Sequence, residues 1–241
     1  MNVLLVFAHQ EPRSFNGALR DIAVRTLTEN GCEVAVSDLY AEGFEARATA
    51  QDFTRRSNPK FFKYQAEQRD AAAGGDHGFS ADILREQERL LRADLVIFQF
   101  PLYWFSVPAI LKGWFDRVLA AGFAYGGGRF FEKAPLYGKR ALLSLSMGAA
   151  EDRFGPSALY GDLNWVLHPL RVGTLNFCGF EVLDHHVVHG PASMTPAQRE
   201  EVLERWQKRV CSLANETPLP FMKAFDPVQP GHSAGTKGAA M

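Results

Sequence analysis

The sequence predicts an open α/β domain: a doubly wound, five-stranded parallel sheet with helices on both faces. Two observations carry that expectation. Apolar runs of strand length are continuous, as they are in strands buried on both faces. Between them lie longer segments whose apolar residues recur at helical spacing and open on capping residues. Strands alternating with helices argue for a parallel sheet with right-handed crossovers.

The elements follow in order. "VLLVFA" (Val3 to Ala8) is the first strand. Ser14 then caps a helix with Phe15, Leu19, Ile22, Ala23 and Leu27 at helical spacing, and Gly31 closes it. "EVAVSDL" (Glu33 to Leu39) is the second strand, and a long irregular segment follows it. Ser80 opens a helix with Ile83, Leu84, Leu90 and Leu91 on one side, leading into a third strand, "DLVIFQF" (Asp94 to Phe100). A helix is expected from Ser106 to about Ala121, then a fourth strand, "RALLSLS" (Arg140 to Ser146). A further helix falls within Ala158 to Val172, and "FEVLDHHVV" (Phe180 to Val188) holds the fifth strand. Thr195 caps the last helix, with Pro196 at its first position and Val202, Trp206, Val210 and Leu213 facing inward.

The chain has 241 residues, enough for one large domain with its own core. Residues 1–221 are expected to form that domain. Residues 222–241, rich in Gly, Pro and Ala, read as a tail or as an arm laid on a partner subunit. Lys plus Arg number 26 against 27 Asp plus Glu, a net charge of -1, and no basic block is interleaved with aromatics. No nucleic-acid partner is expected. Cys32, Cys178 and Cys211 are odd in number and widely spaced, as reduced thiols in a cytoplasmic protein are. "MNVLLVFAHQEP" has no basic n-region and no cleavage site, and no run approaches a membrane span, so no membrane insertion is expected.

Sheets of this kind bind ligands beyond the carboxyl ends of their strands, at the switch in strand order. The first such loop, "AHQEPRSFNGA", carries neither a dinucleotide-binding glycine fingerprint nor a P-loop, yet it ends at a helix N-terminus. Ser14, the amides of Phe15 and Asn16, and His9 could hold a phosphate there; an ordinary capped helix is the other reading. The second loop places Tyr103, Trp104 and Phe105 side by side after Pro101. Such aromatics pack under a loop, support a partner subunit, or stack on a flat ligand. The third, "SMGAAEDRFG", lets backbone amides approach a ligand closely. Together the loops suit a flat, phosphorylated cofactor, and flavin fits best.

"SDLYA" (Ser37 to Ala41), "ADLVIFQFPLYWFSVPAILKGWFDRV" (Ala93 to Val118), "GFAY" (Gly122 to Tyr125), "YGDLN" (Tyr160 to Asn164) and "GTLNFCGFEVL" (Gly173 to Leu183) carry a specific resemblance. From Val3 to about Pro220 the chain resembles the FAD-dependent NAD(P)H:quinone oxidoreductases, the flavodoxin-like diaphorases. The resemblance implies a flavodoxin-like, flavin-binding domain. It implies two-electron, ping-pong hydride transfer from NADH or NADPH through FAD to a quinone, and a homodimer with flavin sites at its interface. It implies that His9, Ser14, Phe15 and Asn16 hold the phosphates and ribityl chain, and that Leu102, Tyr103, Trp104 and Phe105 face the ring. Ser146, Met147, Gly148 and Ala149 match the family's Thr-Thr-Gly-Gly turn, and Arg199 the arginine near the adenosine. Tyr125 and Phe177 match aromatics around the quinone, and Gly127 stands where some members have a gating tyrosine.

The chain departs from the family where the proton is handled. Counting back from "GD" (Gly161, Asp162), the family tyrosine is Phe154 and the family histidine is Tyr160. Phe154 has no proton to give, which leaves Tyr160, whose unperturbed pKa is near ~10, or water. One branch binds a metal through two histidines whose positions here are Val172 and Asn176, so no metal is expected. His185, His186 and His189 read as strand and loop residues. The alternatives are a nitro- or azo-compound reductase, a flavin-bound regulatory subunit of an ion-efflux system, and a chain binding FMN in place of FAD. A one-electron carrier is disfavoured by the near-zero charge.

Overall fold

A computed structural model describes residues 1–221. The expected tail or arm, residues 222–241, lies outside the described residues.

The sheet is parallel throughout. β1 (Asn2–Phe7) pairs with β2 (Glu33–Asp38) on one side and β3 (Leu95–Pro101) on the other, and β4 (Arg140–Met147) extends the sheet beyond β3. The chain switches direction across the sheet at β1, so the cleft above β1 and β3 is the topological switch point.

The two faces are read from alternate strand residues. Leu4, Val6, Val96, Phe98 and Phe100 pack under α3 (Ala81–Arg92), α4 (Ala109–Val118) and α5 (Leu163–Leu170). Val3, Leu5, Phe7, Leu95 and Ile97 pack under α1 (Phe15–Glu29) and α6 (Pro196–Ser212). Ser14 caps α1 by accepting from the Gly17 amide, and Thr195 and Gln198 form a reciprocal capping box on α6.

Four expectations change. The fifth strand is interrupted: β5 (Glu181–Val182) and β6 (His186–His189) both pair with β4, but Ala141 faces Val182 while Ser144 faces His186. Leu142 and Leu143 therefore oppose three residues, Leu183, Asp184 and His185, which is a β-bulge. Its carbonyls are taken up by Arg209 of α6, which donates to Asp184 O at 2.5 Å and His185 O at 3.1 Å while its other contacts hold Glu216. The helix expected from Ser106 begins at Ala109, because Ser106 is spent closing a tight turn with Tyr103. On α3, Leu84 and Leu91 are exposed, and Glu86 and Gln87 take the inner face with Ile83 and Leu90. Glu86 is there to accept from the Trp114 indole at 2.8 Å and to pair with Arg89.

The irregular segment hides a helix, α2 (Tyr64–Ala73). Its inward residues are Glu67, Gln68 and Ala71, so it has no apolar stripe. Glu67 accepts from Arg56 Nε and from the Ser57 and Asn58 amides, and Gln68 bridges Asp116 O and the Ala121 amide. Arg117 completes the clamp, buried between Asp52 and Asp82.

Candidate active site

A cleft of about 560 Å³ opens over the carboxyl ends of β1, β3 and β4. The first loop forms one wall. Its curl over the start of α1 depends on Gly17, where a β-carbon would lie 1.8 Å from Pro12 O. Ser14 spends its hydroxyl on the Gly17 amide, which leaves the first-turn amides of Phe15 and Asn16 without a partner among the described residues. An anion bound there would meet them with the helix dipole behind them. The Glu11 amide meets His9 Nδ1 at 3.0 Å. Glu11 O lies 3.2 Å from the same nitrogen, so the His9 ring is held against the Glu11 backbone.

The second wall is the aromatic turn. Tyr103 and Ser106 exchange both backbone hydrogen bonds at 3.0 Å. Trp104 and Phe105 between them have φ of 51° and 58°. This is a two-residue hairpin turn with both central residues left-handed, which Asn-Gly pairs normally fill. Strain on bulky residues persists where function uses it. Trp104 is 96% exposed, and Phe105 lies edge-on to Tyr160 at 5.1 Å. Replacing the pair by Trp104→Asn and Phe105→Gly is expected to raise stability by about 1–3 kcal/mol, read by denaturant unfolding, and to weaken ligand binding. A lowered midpoint would show that the Phe105–Tyr160 contact outweighs the strain.

The third wall is the turn after β4, where the amides of Gly148 and Ala149 have no partner among the described residues. Arg199 ties in the rim by donating to Pro191 O at 3.1 Å and Ala192 O at 3.3 Å. Among the described residues the cleft is lined by His9, Arg13 and Arg199 and by no carboxylate, with Glu11 paired to Arg13 at 3.1 Å. Its donors, dipole and charge fit a diphosphate.

The structure thus brings His9, Ser14, Phe15, Asn16, Leu102, Tyr103, Ser146, Met147, Gly148 and Arg199 together on one cleft. Trp104, Phe105 and Ala149 stand beside it without lining it. Phe154 and Tyr160 pack on each other at 5.5 Å behind Phe105, and the Tyr160 hydroxyl has no partner among the described residues. Tyr125 and Phe177 line a different cavity, of about 440 Å³, that shares no residue with the cleft. There Phe177 gathers Tyr125, Phe130 and Phe131 at 5.5, 4.9 and 5.7 Å. Burial pushes the Cys178 thiol of that cavity up to about 12, so it stays protonated. Gly127 lies elsewhere again, in an exposed turn with φ of 62°.

Val172 is buried and Asn176 donates to Phe180 O, and no group of three or more potential metal ligands occurs among the described residues. No described helix is long and apolar enough to cross a membrane. Sequence reasoning missed Arg13, Gly17, Gln99 and Ser144. Gln99 gave the one available signal: a primary amide within an otherwise apolar strand.

A sheet in the order β2-β1-β3-β4-β5/β6, with an anion-accepting cleft at its switch point, defines a flavodoxin-like α/β protein. The chain belongs to the flavodoxin-like fold family, which it matches over residues 1–210. It is 47% identical over 219 residues to a ribosyldihydronicotinamide dehydrogenase (quinone) of Pongo abelii, spanning 90% of this chain and 94% of that one. It is 44% identical over 219 residues to NAD(P)H dehydrogenase (quinone) 1 of Cavia porcellus, spanning 90% of this chain and 79% of that one. Among solved structures, a candidate quinone reductase from Klebsiella pneumoniae superimposes with a TM-score of 0.88 at 41% identity, over 92% of this chain and 88% of that one.

Proposed function

We propose that the protein is a flavin-dependent NAD(P)H:quinone oxidoreductase that passes two electrons from a dihydronicotinamide to a quinone in the cytoplasm. The observation that carries this reading is the cleft beside an aromatic turn, with its unpartnered amides, its arginines and, among the described residues, no carboxylate in its lining. The relatives, named as quinone-reducing dehydrogenases, support it. When bound, the flavin supplies the two-electron chemistry. The chain binds and orients it. The first turn of α1 takes the phosphates, and the aromatic turn takes the ring. The Gly148 and Ala149 amides are fixed donors to ligand atoms that gain negative charge. FAD is favoured over FMN because Arg199 and the Pro191–Ser193 rim extend the cleft beyond the first phosphate site. Tyr160 is assigned proton delivery, since its hydroxyl is unspent and Phe154 has none.

The protein acts as a homodimer in this reading. Tyr125 and Phe177 lie in a cavity separate from their own cleft, and Trp104 is 96% exposed. A second copy would place that aromatic cluster across the cleft. The donor has a second reading. One relative is named a ribosyldihydronicotinamide dehydrogenase, so a short dihydronicotinamide riboside is a rival to NADH and NADPH.

One experiment covers these points. The purified protein is heated, the released cofactor is weighed by mass spectrometry, and each donor is assayed with menadione. The mass of FAD and quinone-dependent donor oxidation are expected. The mass of FMN would overturn the cofactor assignment. Turnover no faster than free flavin would favour a regulatory flavoprotein.

A further inference from the structure

β3 carries one polar residue among its apolar ones, Gln99, and it is 1% exposed. Burying a primary amide is costly unless its groups are bonded. Here they are bonded in a directed chain. Ser144 Oγ donates to Gln99 Oε1 at 2.7 Å, Gln99 Nε2 donates to Asn16 Oδ1 at 2.9 Å, and Asn16 Nδ2 donates to Ser146 Oγ at 2.8 Å. All four residues are buried, and they come from β3, β4 and the first turn of α1. The chain ends on Ser146, which lines the cleft. Its oxygen already accepts from Asn16, and no acceptor for its own proton occurs among the described residues.

We infer that Gln99 is a positioning residue, which orients the Asn16 amide so that the Ser146 hydroxyl turns its proton into the cleft. This rests on the flavin reading. The donated proton suits a carbonyl oxygen or an anionic nitrogen on the edge of a flat heterocycle. Hydrogen bonds aligned head to tail polarise one another, so the last donor is stronger than an isolated serine. The same chain ties the first turn of α1 to the end of β4. Packing alone could be served by apolar side chains at Gln99 and its partners together, because replacing both members of a bonded pair can be nearly neutral, whereas losing one leaves the other buried and unpaired.

Three substitutions within the chain, with Ser146→Ala at its end as reference, test it. Gln99→Met keeps the volume and removes both bonds. Gln99→Glu puts a carboxylate in place of the amide, which accepts from both sides. Asn16 must then turn its NH2 inward, and Ser146 spends its proton on the Asn16 oxygen. Ser144→Ala removes the donor that sets which way the Gln99 amide faces.

The readouts are the apoprotein melting temperature, FAD affinity by fluorescence titration, and the absorption bands of the bound flavin. Gln99→Met is expected to lower apoprotein melting, because it leaves the Ser144 hydroxyl and Asn16 Oδ1 buried and unpaired, to weaken FAD binding roughly tenfold, and to shift the flavin bands. Gln99→Glu shifts them too, and Ser144→Ala does so to a smaller degree. Gln99→Met adds nothing to Ser146→Ala if it acts through that hydroxyl. Parental affinity and spectra in Ser144→Ala and in both Gln99 variants would overturn the inference, as would additive losses in the double variant. If the Gln99 variants do not fold, Ser144→Ala alone decides. A parent protein that binds no flavin would overturn the flavin reading and this role together. Normal parental binding with silent variants would overturn this role alone.

Discussion

Gly17→Ala is expected to cost about 1–3 kcal/mol of stability and to empty the cofactor cleft. The added methyl would sit 1.8 Å from Pro12 O and 2.7 Å from Pro12 C, which are backbone atoms with no rotamer to change. Either α1 shifts at its first turn or the loop from His9 to Ser14 lifts off it. Both movements break the cap that Ser14 makes on the Gly17 amide. Both also displace the amides of Phe15 and Asn16 from the place where a phosphate would meet them. The loss should therefore appear twice, in denaturant unfolding of the apoprotein and in ligand titration of the folded fraction. Unfolding and affinity both within 0.5 kcal/mol of the parent would show that the loop accommodates the methyl group.

Stability should also fall steeply on mild acidification. His185 sits in the bulge and His186 beside it, stacked on Trp206 at 4.1 Å. Both ring nitrogens of His185 and Nε2 of His186 are buried without a hydrogen-bond partner among the described residues. Burial first, then nearby arginines, pulls each histidine down to about 4. For His185 the opposing charge is Asp184, and Arg171 and Arg209 add to the depression. For His186 the arginines are Arg209 and Arg205, and Glu151 shares the lining of the same cavity.

The sign follows from proton counts. Between pH 6.5 and about 4 the unfolded chain holds protons at these positions that the folded chain refuses. Stability is thus full above pH 6.5 and is lost as pH falls toward 4, by on the order of 3 kcal/mol per histidine. Chemical unfolding at pH 7.5 and pH 5 measures the loss, and His185→Gln with His186→Gln should flatten it. An unchanged slope in that double variant would move the acid sensitivity elsewhere.

The elements that could be read from the sequence are those built by apolar patterning. β1, β3 and β4 are continuous apolar runs, and α1 and α6 carry both a stripe and their caps. What could not be read is built by polar groups turned inward. α2 faces the protein with Glu67 and Gln68, and α3 turns Glu86 and Gln87 inward while leaving Leu84 and Leu91 outside. Hydrophobic periodicity is silent or misleading there, because the bonding partners Arg56, Arg89 and Trp114 come from elsewhere. The bulge was equally invisible: one extra residue changes register without changing composition. At the site, the position of the three loops at the carboxyl ends of parallel strands pointed to them, and resemblance assigned roles to their residues. The glycine that lets the first loop close, and the amide chain beneath the cleft, depend on distances that no local pattern records.

The place of β1 between β2 and β3 sets the order in which a nascent chain can assemble. β1 is made first, and β2 can cover one of its edges once Asp38 has emerged. Its other edge waits for β3, which is not complete until Pro101. At roughly 5–20 residues per second, the unpaired edge of "NVLLVF" persists for seconds beside the ribosome. That edge is the hazard of biogenesis in this protein, and α1 and β2 are its early cover. The cleft needs the turn after β4 and the rim after β6 as well. On the proposed reading, a flavin would therefore meet a domain whose sheet is already paired, and would lock that assembly without templating it.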